Sequence, residues 1–273
     1  MKLHKKIFLP ITAPIKFIQN NFKAVVFVTI LISIISSTNP QNIEKPNLQR
    51  INLYGAIMSA EDILEQIQTV KNNKNIKGVL LNVNSPGGAV APSIEIAFAI
   101  KELRQVKPVI AYASGMMTSG SYYASIWANE IIANPGAIIG SIGVIMQSLD
   151  ASELISKIGI KSQIVKIGRY KEAGTPTRKW EKYERDELEK VIRDTYKLFV
   201  SDVSQARQLN PKNHTKFADA HIFTASQAKE VGLIDKVKHL SYAKENKIDK
   251  FMKHMTEGIV SNISTHLNEL VAY

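Results

Sequence analysis

The chain has 273 residues, 45% of them hydrophobic and 22% charged, which supplies apolar material for a buried core and excludes a wholly disordered polypeptide. It contains no cysteine, so disulfides, thiolate catalysis and zinc–cysteine sites are excluded. The formal net charge of +11 is not accompanied by a basic cluster interleaved with aromatics or by a recognised binding module, so no nucleic-acid partner is expected.

Part of the positive excess lies in residues 1–23, where Lys2, Lys5, Lys6, Lys16 and Lys23 occur without a single acid. Residues 24–37 (AVVFVTILISIISS) follow with no charge at all. Two readings compete. A basic start, a short apolar stretch and small residues at Ser36, Ser37 and Thr38 fit a cleaved secretory signal. The long basic lead with Pro10 and Pro14 favours an uncleaved transmembrane signal-anchor over 24–38. Both readings leave residues 1–23 in the cytoplasm and put the rest outside; the favoured anchor makes a single-pass protein of the inner, cytoplasmic membrane with the body of the chain on the periplasmic, extracytoplasmic side. Residues 39–48 (NPQNIEKPNL) are polar with two prolines and read as a linker.

Beyond the linker, strand and helix patterns alternate. Residues 50–59 read as a strand, and 60–70, with Ile63, Leu64, Ile67 and Val70 at helical spacing, as a helix. Residues 76–83 (IKGVLLNV) form a dense apolar run of strand length, which predicts burial on both faces. A helix is expected over 92–106, a strand over 108–113, a helix over 119–128 and a short strand over 130–133. The long charged pattern of 181–209 predicts an amphipathic helix with a stripe that includes Leu188, Val191, Ile192, Tyr196, Leu198, Phe199 and Val203. Residues 225–231 predict a short helix closed by Gly232. Residues 241–273 show scattered helical character and no motif. This alternation predicts an α/β domain with a largely parallel sheet.

Two glycine-rich turns follow buried strands. Asn84-Ser85-Pro86-Gly87-Gly88 can bring backbone N–H groups close to a ligand and hold an oxyanion, although a plain strand-to-helix turn is the alternative. The second runs from Ala113 to Tyr123 (ASGMMTSGSYY) and opens a helix. There Ser119 is either a nucleophile at a helix start or a simple N-cap, and the Gly120 N–H could join an oxyanion hole. A nucleophilic serine needs a base. His4, His214, His221, His239, His254 and His266 all lie outside the segment that carries both turns, and no G-x-S-x-G elbow is present. Lys171, in IGRYKEAGTP, sits in a segment that Gly and Pro shape into a loop; a lysine held uncharged by burial can do the base's work. Spacing alone does not single it out from the other basic residues.

Four blocks, GVLLNVNSPGG, ASGMMTSGSYYAS, NPGAIIGSIGV and GRYKEAGTP, occur in order, followed by FTASQAKEVGLIDKV. In this ordered set, across roughly residues 51–237, the chain resembles the signal peptide peptidase A (SppA) family of membrane-bound serine peptidases in its half-length bacterial form. The resemblance implies an α/β fold of the ClpP/crotonase type, built of stacked β–α units and preceded by one N-terminal transmembrane helix. It implies a Ser–Lys peptidase domain over 49–240, followed by the tail 241–273. It assigns Ser119 as nucleophile and Lys171 as general base, with Gly87, Gly88 and Gly120 at the oxyanion and substrate site. It further implies a membrane-anchored homo-oligomer with active sites shared between subunits. Its substrates would be signal-peptide remnants and other short or unfolded apolar peptides, and neither metal nor organic cofactor would be needed. Three departures stand out: Ser121 where the family has a second glycine, Ala220-His221 where it has Gly-Arg, and Thr175 where it often has serine. The competing readings are a SohB-type peptidase with another substrate, a catalytically inactive crotonase-like scaffold, and an acyl-CoA hydratase or isomerase on the same fold.

Overall fold

A computed structural model describes residues 17–37 and 48–241. The expectations for the basic N-terminus up to residue 16, for the linker over 39–47 and for the tail beyond residue 241 fall outside these. The chain divides into two units, Met1–Pro46 and Asn47–Tyr273. In the first, the apolar run forms helix α1 (Phe22–Ser37). Its 16 residues cover about 24 Å at 1.5 Å per residue, short of a hydrocarbon core of about 30 Å. No helix among the described residues is long and apolar enough to cross a membrane, so the span expected over 24–38 is matched in position but not in length. Phe22, Phe27 and Ile30 are exposed along it.

The second unit runs β1 (Leu48–Tyr54), α2 (Glu61–Asn72), β2 (Gly78–Ser85), α3 (Val90–Val106), β3 (Val109–Thr118), α4 (Gly120–Ser125), β4 (Glu130–Ala133), β5 (Ile138–Gly140), α5 (Ser152–Lys157), α6 (Lys182–Arg207), a 3-10 turn (Pro211–Lys216), β6 (Ile222–Thr224), α7 (Ala225–Glu230) and β7 (Lys236–Val237). One sheet takes the order β1-β2-β3-β4-β7 with every neighbouring pair parallel. Strand β5 also pairs in parallel with the far end of β3, and β6 runs antiparallel to β5. The parallel α/β class expected from the alternation is what the chain forms.

Several boundaries differ for identifiable reasons. The first strand ends at Tyr54 because Gly55 turns the chain at φ 70°, not at residue 59. Strand β3 runs five residues past the expected end at Ala113, because Ser85 pairs with Met117 beyond a register shift and Met116–Thr118 find a new partner in β5. Helix α4 stops at Ser125 rather than at residue 128. Strands β5 and β6, three residues each, and helix α5 carry too short a pattern to be read in advance. On α6, Phe199 and Val203 are buried as expected, whereas Val191 and Leu198 are exposed.

Side-chain alternation sorts the sheet into two faces. Val79, Leu81 and Val83 of β2, Val109, Ala111 and Ala113 of β3 and Ile131 and Ala133 of β4 join the main core with Ile96, Ile100 and Leu103 of α3. Leu80, Ile110, Tyr112 and Ile132 form a smaller cluster on the opposite face. Strand β2 is therefore covered on both sides, as its unbroken apolar run required. Leu81 is 0% exposed at its centre. Leu81→Ala should lower the unfolding free energy by about 2–5 kcal/mol through lost burial and an unfilled cavity, measurable by urea denaturation.

Candidate active site

The two glycine-rich turns leave the carboxyl ends of neighbouring parallel strands, β2 and β3, and side chains stitch them together. Asn84 Oδ1 accepts from Met116 N at 3.0 Å, filling the space beside Gly115 where β3 changes register. Ser85 Oγ accepts from Gly87 N at 3.1 Å. The Ser121 hydroxyl, fully buried, accepts from Thr118 N at 2.9 Å and lies 2.7 Å from Ser85 O and 2.9 Å from Thr118 O; its one proton reaches Ser85 O by the shorter contact. Ser121 thus ties the end of β3 to the end of β2, a tether that glycine could not supply.

The approach leaves no room for side chains. A Cβ on Gly87, which takes φ 94°, would stand 2.6 Å from Gly120 N and 2.9 Å from Ser119 Cβ. A Cβ on Gly88 would stand 2.2 Å from Ile57 O, and one on Gly120 2.3 Å from Ser93 Oγ. Ile57 N bonds Gly87 O, and Ala89 N bonds Ile57 O, which fixes the turn from behind. The N–H groups of Gly88 and Gly120 have no hydrogen-bond acceptor among the described residues. For Gly120 this follows from its place at the start of α4, where the first amides have no partner within the helix.

Ser119 sits at the cap position of α4 with φ 53° and ψ −126°, and its side chain makes no capping hydrogen bond. The simple N-cap alternative is therefore not what its hydroxyl does. Its backbone is locked by Ser119 N to Gly140 O at 2.8 Å and Tyr123 N to Ser119 O at 3.0 Å. A non-glycine residue held there costs about 1–3 kcal/mol, which the surrounding bonds must offset. Ser141 (φ 51°) and Ala220 (φ 57°) are strained in the same sense. All three line one cleft of about 270 Å³, with Gly88, Gly120, Val90, Ile94, Tyr123, Leu198 and Phe199 among its other walls.

Among the described residues, no histidine, lysine or carboxylate lines this cleft. Tyr123 does, but its hydroxyl donates to the Asp202 carboxylate, and burial together with that bond pushes the phenol well above its ordinary range. It is no base at neutral pH. Among the described residues, no group of three or more His, Cys, Asp or Glu side chains could hold a metal ion.

Lys171 lies on another segment. No residue from 146 to 194 reaches the cleft, and the exposed Lys171 side chain makes no hydrogen bond or ion pair with the described residues. Its loop is a chain of turns (Lys171 N to Gly168 O, Ala173 N to Tyr170 O, Thr175 N to Glu172 O) strapped to the start of α6. Trp180 Nε1 donates to Thr175 O at 2.8 Å, and the Tyr170 and Tyr183 rings meet edge to face at 5.6 Å. Arg178 forks onto Glu184, which is 0% exposed and closes a capping box with Glu181. That fork, with the Glu181 amide second, draws the Glu184 carboxyl down to about 2.

The structure therefore brings Ser119, Gly87, Gly88 and Gly120 together and leaves Lys171 apart. Residues that pattern reading missed, Ser93 and Ile94 of α3, Leu198 and Phe199 of α6, Ser141 and Ala220, come from elements distant in sequence. Of these cleft residues, Tyr123 and Ser141 lie inside motifs already singled out and Ala220 is one of the noted departures, but pattern reading makes none of them part of the cleft.

A family model of Peptidase family S49 matches residues 101–252, and one of Clp protease matches residues 48–130. Two relatives are provisionally named as proteases: MJ0651 of Methanocaldococcus jannaschii and slr0021 of Synechocystis sp. The first is 40% identical over 171 residues, covering 63% of this chain and 55% of that protein. The second is 35% identical over 195 residues, covering 71% and 70%. A third, from Enterococcus faecium and provisionally named a signal peptide peptidase SppA, is 33% identical over 181 residues, covering 65% and 52%. The chain thus accounts for about half the length of the first and third.

Two outcomes test this geometry. Ser121→Ala removes the buried hydroxyl that links Thr118 to Ser85, so it should cost about 1 kcal/mol in urea denaturation at neutral pH. Glu184 has its folded pKa drawn below the usual carboxylate value, so its contribution to stability is complete above about pH 4.5 and is lost as pH falls towards 2. The urea midpoint should therefore drop less between pH 6 and pH 3 in Glu184→Gln than in the parent chain.

Proposed function

Because the chain belongs to peptidase family S49, we propose that it is a membrane-anchored serine endopeptidase in which Ser119 attacks and Lys171 serves as general base. One observation carries the reading: a serine hydroxyl without a capping role, held at a strained φ of 53° beside two backbone N–H groups that lack acceptors. In the proposed cycle an uncharged Lys171 takes the Ser119 proton as Oγ attacks the scissile carbonyl. The Gly88 and Gly120 amides donate to the oxyanion, and Gly87 supplies the turn that lets them converge. Lys171 then gives the proton to the leaving amine, and a water that it deprotonates releases the acyl group from Ser119.

The separation of Lys171 from the cleft supports an assembled active site. The described residues of one chain offer the cleft no base, and the segment leading to Lys171 exposes Ile145, Leu149, Leu154, Ile158, Ile160 and Ile167. A strip of this kind is what a second copy would cover. Covering it would also desolvate Lys171, which favours the neutral amine a base requires. In this reading Ser119 of one subunit works with Lys171 of its neighbour in a homo-oligomer.

The cleft walls Val90, Ile94, Leu198 and Phe199 suit apolar side chains. That supports short or unfolded apolar peptides, including signal-peptide remnants, as substrates. The apolar face of α1 supports anchorage at the inner membrane, with the peptidase domain on the extracytoplasmic side; a helix of its length is accommodated by local thinning of the bilayer.

The deciding measurement is cleavage of an apolar fluorogenic peptide by the full chain in detergent. Ser119→Ala and Lys171→Ala should each lower kcat by at least about a thousandfold with unchanged circular dichroism. Mixing the two inactive variants should restore part of the turnover, since a mixed particle holds some sites with both residues intact. Near-parental activity in Lys171→Ala would remove the base from the mechanism, and mixtures that never recover would remove the shared site.

A further inference from the structure

We propose that Arg178 is a positioning residue for Lys171: it fixes the loop that carries the amine and keeps the adjacent Glu172 carboxylate engaged elsewhere. The inference rests on the reading of Lys171 as the general base.

Glu172 follows Lys171 directly in sequence. A free carboxylate within reach of a lysine holds it protonated, the wrong state for a base. In the structure Glu172 is not free. Its Oε2 accepts from Lys166 Nζ at 2.8 Å and from Arg178 Nη2 at 3.0 Å. Arg178 in turn cannot swing away. Nη2 and Nη1 donate to Glu184 Oε1 and Oε2 at 2.7 and 2.8 Å, and Nη1 also reaches Lys179 O at 3.0 Å. Glu184 is buried and anchored by the Glu181 amide at 2.9 Å. One guanidinium therefore spans two carboxylates, one fixed in the first turn of α6 and one in the lysine's loop. A lysine ammonium, a single point charge, could not keep both contacts in one plane.

Several charged groups face this site: Lys161 lines one pocket with Glu172 and Arg178, and Asp150, Lys179 and Arg185 line another with Arg178. Lys166 approaches Glu172 from the segment before the loop, Arg178 from the segment leading into α6, and Glu184 lies beyond Arg178 on α6 itself. Arg169 lies over the Tyr183 ring at 4.1 Å. Between Gly168 and Thr177, Lys171 is the one charged side chain with neither a hydrogen bond, an ion pair nor a ring beneath it among the described residues. Its neighbours on both sides are restrained, Tyr170 by the Tyr183 ring and Glu172 by two cations. The arrangement holds the backbone of the loop while leaving this amine unpaired.

The test is the pH profile of kcat/KM of the full chain on the apolar fluorogenic peptide, with folding followed by circular dichroism at each pH. Arg178→Met should lower kcat at neutral pH by about tenfold with KM changed less than about twofold. It should also move the acidic midpoint up by about one unit, because Glu172 is released towards Lys171. Adding Glu172→Gln to Arg178→Met should return the midpoint to its parental position. Arg178→Lys, which retains a charge for Glu184 and so protects folding, should shift the midpoint in the same direction by less. A purely structural Arg178 would cost folded protein and leave the midpoint where it was, which would overturn the proposal. A midpoint that stays raised in the double variant would overturn it too. Lys171→Ala, assayed alongside, separates the failures: activity retained there defeats the base assignment itself, whereas activity lost there with unmoved midpoints in both Arg178 variants defeats only the positioning role.

Discussion

Two loops at the ends of adjacent parallel strands can share one reaction site only if nothing stands between them. Here the limiting distance is that from Gly87 to Gly120, where a single added carbon would come within 2.6 Å of a backbone nitrogen. Most other features of the cleft follow from this approach. It requires Gly87 at φ 94°, it turns the amides of Gly88 and Gly120 away from internal partners, and it forces Ser119 into a conformation that side-chain-bearing residues rarely adopt. The strain persists because hydrogen bonds made by Asn84 and Ser121 fasten the two turns and Ser85 Oγ braces the first. Parallel pairing of β2 with β3 is what delivers both turns to the same edge of the sheet.

In the proposed mechanism a second constraint acts on the Lys171 amine. Neutral lysine is a base only where water and carboxylates are kept from it, yet Glu172 follows Lys171 directly in this sequence. The loop around Lys171 answers this with charge pairing and not with burial inside its own domain. Glu172 is held between Lys166 and Arg178, and Arg178 is held by Glu184 at the start of α6. The cleft and the amine are thus prepared separately, each by its own network, on parts of the chain that do not meet within one copy. In the proposed mechanism this division makes turnover depend on assembly.

Most of the secondary structure could be read from pattern because strands and helices here are long and periodic. The buried run GVLLNV and the stripe Ile63, Leu64, Ile67 and Val70 each satisfied one period cleanly. Strands β5 and β6 could not be read, since three residues carry no period; β5 forms against the far end of β3, which also pairs with β2 at Ser85, and β6 against β5. The same holds for the cleft. Ser119 and the glycines were legible as motifs because their chemistry is local. Phe199, Leu198, Ile94 and Ala220 were not, because each joins the wall through the packing of α3, α6 and the segment before β6.

The sequence by itself determined the class of fold and the two glycine-rich turns, with the serine inside the second, since these depend on residue type and spacing along a few neighbouring positions; the candidate lysine came from the ordered family resemblance, because spacing alone did not single it out. Only the tertiary structure decided that the two turns touch, that Ser119 is strained and uncapped, that Ser121 tethers one turn to the other, and that a single arginine joins the lysine's loop to α6. The physical reason is distance along the chain. Contacts between residues separated by many positions are fixed by how the elements pack, and side chains such as Arg178 and Glu184 declare no role until that packing sets them 2.7 Å apart.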